Sequence, residues 1–263
     1  MVCSGALTGL FLIFLVCPNA EARIMNLQRI TRFLQRNYSD GGQVAVAINI
    51  PATMCSSQKA LAQDFLQDDP AWRVKHAISG TSGIYRGHQL IAARSTPING
   101  ESRYDPEYLL LIQANPPNNS TYDPPLKKLL DKDKSGCVVF YTFNSPCVNN
   151  CSTPEGLYNL LPALDLLKEH KGPKAFVFSQ VVKRDLGSVQ EKSERPFAHC
   201  YRFGPDMYVM MGVWDNYDSQ LQWQKNVMEI NARVPLYRCK GTKCALCVYS
   251  HEADGRCMHN VRM

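Results

Sequence analysis

The sequence predicts an α/β fold of three layers, with a central mixed sheet and helices on both of its faces. Short apolar segments of strand type alternate with segments of helical periodicity between residues 24 and 232, and this alternation is typical of such a fold. Two strand candidates, 137–143 and 175–182, are almost continuously apolar, which favours central positions in the sheet. The composition is 45% hydrophobic and 20% charged, so a disordered class is excluded for the bulk of the chain.

The first half of the chain begins with an amphipathic helix. Apolar residues recur there at helical spacing, and arginines occupy the other faces. The next segment has large apolar residues at alternate positions and ends at Pro51, as a half-buried strand does. In order, the first half predicts a helix at 24–38, a strand at 43–50, a short helix at 60–67 and a strand pair around 83–95 that turns at Gly87.

The second half starts with a clear helix signal, Asp105-Pro106-Glu107. Aspartate is a favourable N-cap residue, and proline is favourable at the first helical position. Pro162 is expected to kink or restart a later helix. In order, this half predicts a helix from 106, a helical turn at 126–132, a strand at 137–143, a helix from 152 to Gly172, strands at 175–182 and 207–214, and a helix at 216–232.

The N-terminus has the pattern of a secretory signal peptide. Residues 6–17 form an apolar run too short to span a bilayer, and Ala20-Glu21-Ala22 follows as a cleavage site. We therefore predict a signal peptide at 1–22, a main domain at 23–232 and a cysteine-rich basic tail at 233–263. The mature protein is expected to be secreted, with no membrane segment after cleavage, and the sequons at Asn37 and Asn118 agree with a glycoprotein.

Nine of the eleven cysteines remain after such cleavage, and most should be paired in an oxidising compartment. The tail cluster Cys239, Cys244, Cys247 and Cys257 favours two disulfides over a zinc knuckle. Because nine is odd, parity leaves open whether Cys147 and Cys151 bind a metal or form a disulfide. The net charge of +6 becomes +7 once Glu21 is removed, which permits an anionic partner without requiring one.

Three residues form the candidate centre. Glu107 lies in the first turn of a predicted helix, and Cys147 and Cys151 lie where strand 137–143 gives way to the next helix. Helices packed on one face of a sheet bring such positions to the same edge, and a helix N-terminus favours the thiolate that zinc requires.

Glu107 together with Ser145-Pro146-Cys147-x-x-x-Cys151 resembles the H-x-E and P-C-x-x-C motifs of the zinc-dependent nucleobase deaminases. With the signal peptide, the chain is most similar to secreted AID/APOBEC-like deaminases. The resemblance implies a cytidine-deaminase-like fold and a zinc ion held by Cys147, Cys151 and Asp105. Glu107 would be the catalytic proton carrier for zinc-activated water, acting on a cytosine- or adenine-type base.

The substrate implied by this resemblance is a nucleoside or a single-stranded nucleic acid. Tyr141, Phe143 and Asn144, on the strand that leads to the cysteines, are the candidate substrate contacts, although core packing is the ordinary role of the two aromatic rings. The sequence does not predict the oligomeric state.

The chain departs from the family motif in three places. Asp105 stands where the motif has histidine, the two cysteines are separated by three residues, and Asn144 replaces a tryptophan. Two alternatives therefore stay open. Asp105 is explained equally well as an N-cap, and the protein could be a catalytically inactive module on the same fold with Cys147 and Cys151 joined by a disulfide.

Overall fold

The computed structural model describes residues 23–39, 43–57, 61, 64–98, 102–112, 123–146, 151–154, 159–182, 200–202, 208–210 and 214–258. The predicted signal peptide at 1–22 and Cys147 therefore lie outside the described residues. None of the helices within these ranges is long and apolar enough to cross a bilayer.

The described chain alternates helices and strands, as the sequence predicts. The helices are α1 (Leu27–Tyr38), α2 (Thr53–Ser56), α3 (Ala71–Ser79), α4 (Pro106–Leu111), α5 (Pro125–Leu130), α6 (Leu161–Glu169), α7 (Trp214–Asn231) and α8 (Gly255–Met258). The strands are β1 (Val44–Ile50), β2 (Ile84–Arg86), β3 (Leu90–Arg94), β4 (Thr96–Ile98), β5 (Ser102–Tyr104), β6 (Cys137–Asn144), β7 (Lys174–Gln180), β8 (Cys200–Arg202), β9 (Tyr208–Met210), β10 (Leu236–Lys240), β11 (Lys243–Leu246), β12 (Val248–Tyr249) and β13 (Glu252–Ala253).

Seven strands form the central sheet in the order β11-β10-β7-β6-β1-β3-β2. The β6–β7 and β7–β10 pairs are parallel, and the remaining neighbours, such as β1 with β6, are antiparallel. The sheet is therefore mixed, as predicted. Because β6, β7 and β10 run in the same direction, their carboxyl ends meet at one edge of the sheet.

A hydrophobic core lies on each face of the sheet. One core joins α1, α2 and α3 to side chains such as Val139 and Tyr141 of β6. The other joins α4, α5, α6, α7 and α8 to side chains such as Val138 and Phe140. Alternation along a strand sends successive side chains to opposite faces, so β6 serves both cores and the three-layer prediction is confirmed.

Three disulfides link described cysteines. Cys55–Cys137 ties α2 to the start of β6. Cys239–Cys244 joins directly opposed residues of the β10–β11 hairpin, and Cys247–Cys257 ties the segment after β11 to α8. The expectation of two disulfides in the tail cluster is confirmed.

The structure also differs from the sequence-based elements. Residues 64–68 form turns in place of the predicted helix, and α6 begins at Leu161, with Pro162 in its first turn and not at a kink. Proline is favoured there because its missing N–H would have no helical partner. Strands β10 and β11 lie beyond residue 232, where we predicted a separate tail, yet they belong to the central sheet.

Candidate functional site

The first turn of α4 presents the acidic residues of the candidate centre. Asp105 occupies the N-cap with an extended backbone, and Pro106 follows at the first helical position. The Asp105 side chain makes no capping hydrogen bond to the helix. The N-cap explanation of this aspartate therefore accounts for its place in the chain but not for the direction of its carboxylate.

Glu107, in the first turn of α4, is buried, with 4% of its surface exposed. Burial, and to a smaller extent the negative charge of Asp105, raise the pKa of this carboxyl to about 8, against the opposite effect of a hydrogen bond with the Thr142 side chain. A carboxyl group with this pKa keeps its proton at neutral pH in the metal-free protein. Thr142, which the sequence did not single out, lies on the face of β6 that packs against α4.

Cys151 completes the cluster from the connection between β6 and α6. Its Sγ lies 3.4 Å from Oδ2 of Asp105, and its side chain is buried. The structure thus brings together Asp105, Glu107 and Cys151, as the motif comparison predicts. Asp105 and Cys151 are 46 positions apart in the chain.

Cys151 is disulfide-bonded. Six other cysteines in the described part of the chain are paired with one another, so none of them is the partner of Cys151. A bonded sulfur carries no proton, and the contact with Asp105 is therefore not a thiol donating a hydrogen bond.

The Ser145-Pro146-Cys147 segment is anchored at its serine. The backbone N–H of Ser145 donates to the carbonyl of Gln180, and the Ser145 hydroxyl accepts from the N–H of Val182 at 3.1 Å. On the far side of the connection, the Asn226 side chain of α7 donates to the Ser152 hydroxyl at 2.9 Å. These bonds fix both ends of the segment that carries the two cysteines.

A zinc site requires deprotonated ligands, and cysteine binds zinc only as the thiolate. The disulfide on Cys151 removes that donor, which leaves Asp105 as the described candidate ligand. No group of three or more His, Cys, Asp or Glu side chains suited to a metal occurs among the described residues. In the disulfide-bonded state the described residues do not fit the zinc ion that the family motif implies.

The predicted substrate contacts are divided between the two faces of the sheet. Tyr141 belongs to the core under α1, with its hydroxyl 3.0 Å from Oγ of Ser179, and Phe143 follows it on the same side of β6. Thr142, between them, is the residue that reaches Glu107. The two aromatic side chains therefore do not join Glu107.

Asn144 ends β6. Its Oδ1 accepts a hydrogen bond of 2.9 Å from Nε2 of Gln180, at the end of the neighbouring strand. The role of Asn144 as a substrate contact stays a prediction.

A three-layer α/β fold, with a glutamate at the start of one helix and a cysteine at the following strand-to-helix connection, defines a protein of the cytidine-deaminase-like class. The family model described as Secreted Novel AID/APOBEC-like Deaminase 1 matches residues 25–202. The chain belongs to this family. No curated protein and no solved structure matches the chain.

Proposed function

We propose that this protein is a secreted, disulfide-stabilised binding module on the deaminase fold, and that in its oxidised form it does not carry out zinc-dependent deamination. The observation that carries the proposal is the bonded state of Cys151, whose sulfur lies beside the Asp105 carboxylate. An oxidising compartment preserves such a bond. The family name supports secretion.

The replacement of histidine by Asp105 supports the same proposal. Two thiolates and a carboxylate would make a zinc centre more negative than two thiolates and an imidazole. The bound water would then be harder to deprotonate. The loss of the thiolate and the exchange of the neutral ligand therefore act in the same direction, against catalysis.

The ligand that we propose is the one that the resemblance to the nucleobase deaminases implies, a base-type nucleoside or a single-stranded nucleic acid. The positive charge of the mature chain supports an anionic form of this ligand. Binding to a nucleic acid by surface lysines and arginines should weaken as salt concentration rises.

The first experiment is the metal content of secreted, never-reduced protein, measured by elemental mass spectrometry beside Cys147→Ser. The same preparations are tested for deamination of cytidine and of a cytosine-containing single-stranded oligonucleotide, and for binding of that oligonucleotide by fluorescence anisotropy. We expect no stoichiometric zinc, no turnover and salt-dependent binding. One zinc per chain that is lost in Cys147→Ser, together with turnover, would contradict the proposal, and so would the absence of binding.

A second function is favoured by the convergence of Asp105, Glu107 and Cys151. In a chain whose Cys151 disulfide is reduced, this group would be a deaminase centre. Zinc would supply the activated water, and Glu107 would carry the proton to the leaving amine.

Selective reduction tests this second function. Protein is treated with increasing thiol in the presence of zinc, the reduced cysteines are mapped by mass spectrometry, and deamination is followed at each step. Turnover that appears with reduction of Cys151 and disappears in Glu107→Gln, with zinc retained, would support deamination. Absence of turnover at every step would contradict the deaminase function.

A further inference from the structure

A cleft of about 350 Å³ opens at the edge of the sheet where the parallel strands end. Phe143 lines it near the end of β6, Gln180 at the end of β7 and Lys240 at the end of β10. In open α/β sheets, ligands bind outside the carboxyl ends of parallel strands. The volume also falls within the range of small-molecule sites.

The floor of the cleft is a chain of hydrogen bonds between three elements. Nε2 of Gln35, on α1, donates to Oγ of Ser179 at 2.8 Å, and that hydroxyl lies 3.0 Å from the Tyr141 hydroxyl. Tyr141 is fully buried, so its position is set by the core. These polar groups are therefore held in place before any ligand arrives.

One charged side chain lines the cleft among the residues that the structure describes. It belongs to Lys240, which is exposed, and no aspartate or glutamate occurs in the described part of the lining. Arg36 follows Gln35 on α1 and is also exposed. A lysine without an acidic residue beside it in the described lining favours an anionic group on the ligand.

The walls favour a flat ligand. The ring of Phe143 is partly exposed along the cleft, and the buried ring of Tyr141 borders it from below. Aromatic side chains bind planar unsaturated rings by stacking or edge contacts. Gln35 and Gln180 add amides that can donate to and accept from polar atoms on such a ring.

We infer that this cleft binds a small planar molecule with one anionic group, at a site separate from the Glu107 cluster. Tyr141 belongs to the core under α1, and Glu107 reaches β6 from the opposite face through Thr142. The anion lies at Lys240, and the ring lies against Phe143.

The test uses anilinonaphthalenesulfonate, a planar aromatic anion, and its uncharged analogue phenylnaphthylamine. Fluorescence titration of the intact, never-reduced protein gives the stoichiometry and the dissociation constant for each probe. Lys240→Gln removes the cation. Lys243→Gln is the matched control, because Lys243 is the exposed residue directly opposite Lys240 in the β10–β11 hairpin but does not line the cleft.

We expect one anionic probe per chain and weaker binding of the neutral analogue. Lys240→Gln should weaken binding of the anion about two- to fivefold, the range for an exposed charge pair, with Lys243→Gln unchanged. Phe143→Leu, which keeps an apolar side chain, should weaken both probes about two- to tenfold. Glu107→Gln should change neither, which separates this result from the deamination proposed for the Glu107 cluster.

The inference is overturned if the anionic probe does not bind, or if it binds with equal strength to the wild type, Lys240→Gln and Phe143→Leu. It is also overturned if Lys243→Gln weakens binding as much as Lys240→Gln does, because the probe would then report surface charge alone. Circular dichroism of each variant shows that the fold is retained.

Discussion

The buried carboxyl of Glu107 should make the protein less stable as pH rises. Its pKa is raised from 4.5 to about 8, chiefly by burial. Between these values the unfolded chain has lost the proton, whereas the folded chain keeps it. Stability therefore decreases with pH wherever the folded state binds more protons. The contribution of Glu107 is fully favourable below about 4.5 and is lost as pH rises towards 8.

Glu107→Gln removes this dependence, because glutamine has a similar shape and does not titrate. One pKa unit corresponds to somewhat more than 1 kcal/mol, so the shift amounts to about 5 kcal/mol over the whole window. We expect the free energy of unfolding of the wild type, relative to the variant, to fall by about 1 kcal/mol for each pH unit between pH 5 and 8.

The measurement is urea unfolding at four or more pH values, with a chelator present so that no metal changes the carboxyl pKa. The fluorescence of Trp223, which is buried against α8, reports unfolding. Glu169→Gln makes the same chemical change at an exposed position of α6 and serves as the control. If the difference between wild type and Glu107→Gln is constant from pH 5 to 8, the burial argument is wrong.

Three further predictions concern the scaffold. Gly172→Ala places a Cβ 1.9 Å from a neighbouring backbone carbonyl oxygen, whereas Gly255→Ala meets nothing within 4 Å; we expect a loss of roughly 1–3 kcal/mol for the first alone, measured by urea unfolding. Replacing Cys55 and Cys137 by serine opens a loop of 82 residues and should cost about 4 kcal/mol, visible as a lower Tm; an unchanged Tm would refute this. Burial lowers the pKa of His170, so the unfolded state binds the proton first on acidification; the wild type should lose stability below about pH 6.5 more steeply than His170→Gln does.

The central strands and the first helix could be predicted because their signals are local. Strand 43–50 shows strict alternation, and 137–143 and 175–182 are apolar throughout, so burial on one or both faces follows from the sequence alone. The approach of Asp105 to Cys151 was also predictable. It follows from the order of the strands and helices, which places the start of α4 and the connection from β6 to α6 at the same edge of the sheet.

The parts that were missed depend on pairing across long distances. The bridge between Cys55 and Cys137 has no local signal, since spacing alone does not give disulfide connectivity. The same holds for the tail. LYRCK and KCAL have the composition of a basic, cysteine-rich tail. LYRCK nevertheless pairs with β7, and KCAL pairs with LYRCK, through contacts made after the long helix α7.

The assignment of Tyr141 and Phe143 was limited by a different factor. Their distance from the cysteines along the chain was short, but adjacent residues of a strand face opposite sides of a sheet. Thr142 therefore meets Glu107, and its two neighbours meet α1 or the cleft. The alternation of side chains along this strand is thus a sequence signal that separates Tyr141 and Phe143 from Thr142.

The position of β10 has a consequence for where this protein can be shortened. The family model ends at residue 202, but the strand that covers the outer side of β7 begins at Leu236. A chain cut at the end of the family match would leave β7 with a free row of backbone N–H and C=O groups, and such open edges recruit other chains. Residues 236–246 therefore cover an edge of β7 that a shortened chain would leave open, and the Cys239–Cys244 disulfide links the two strands of this hairpin.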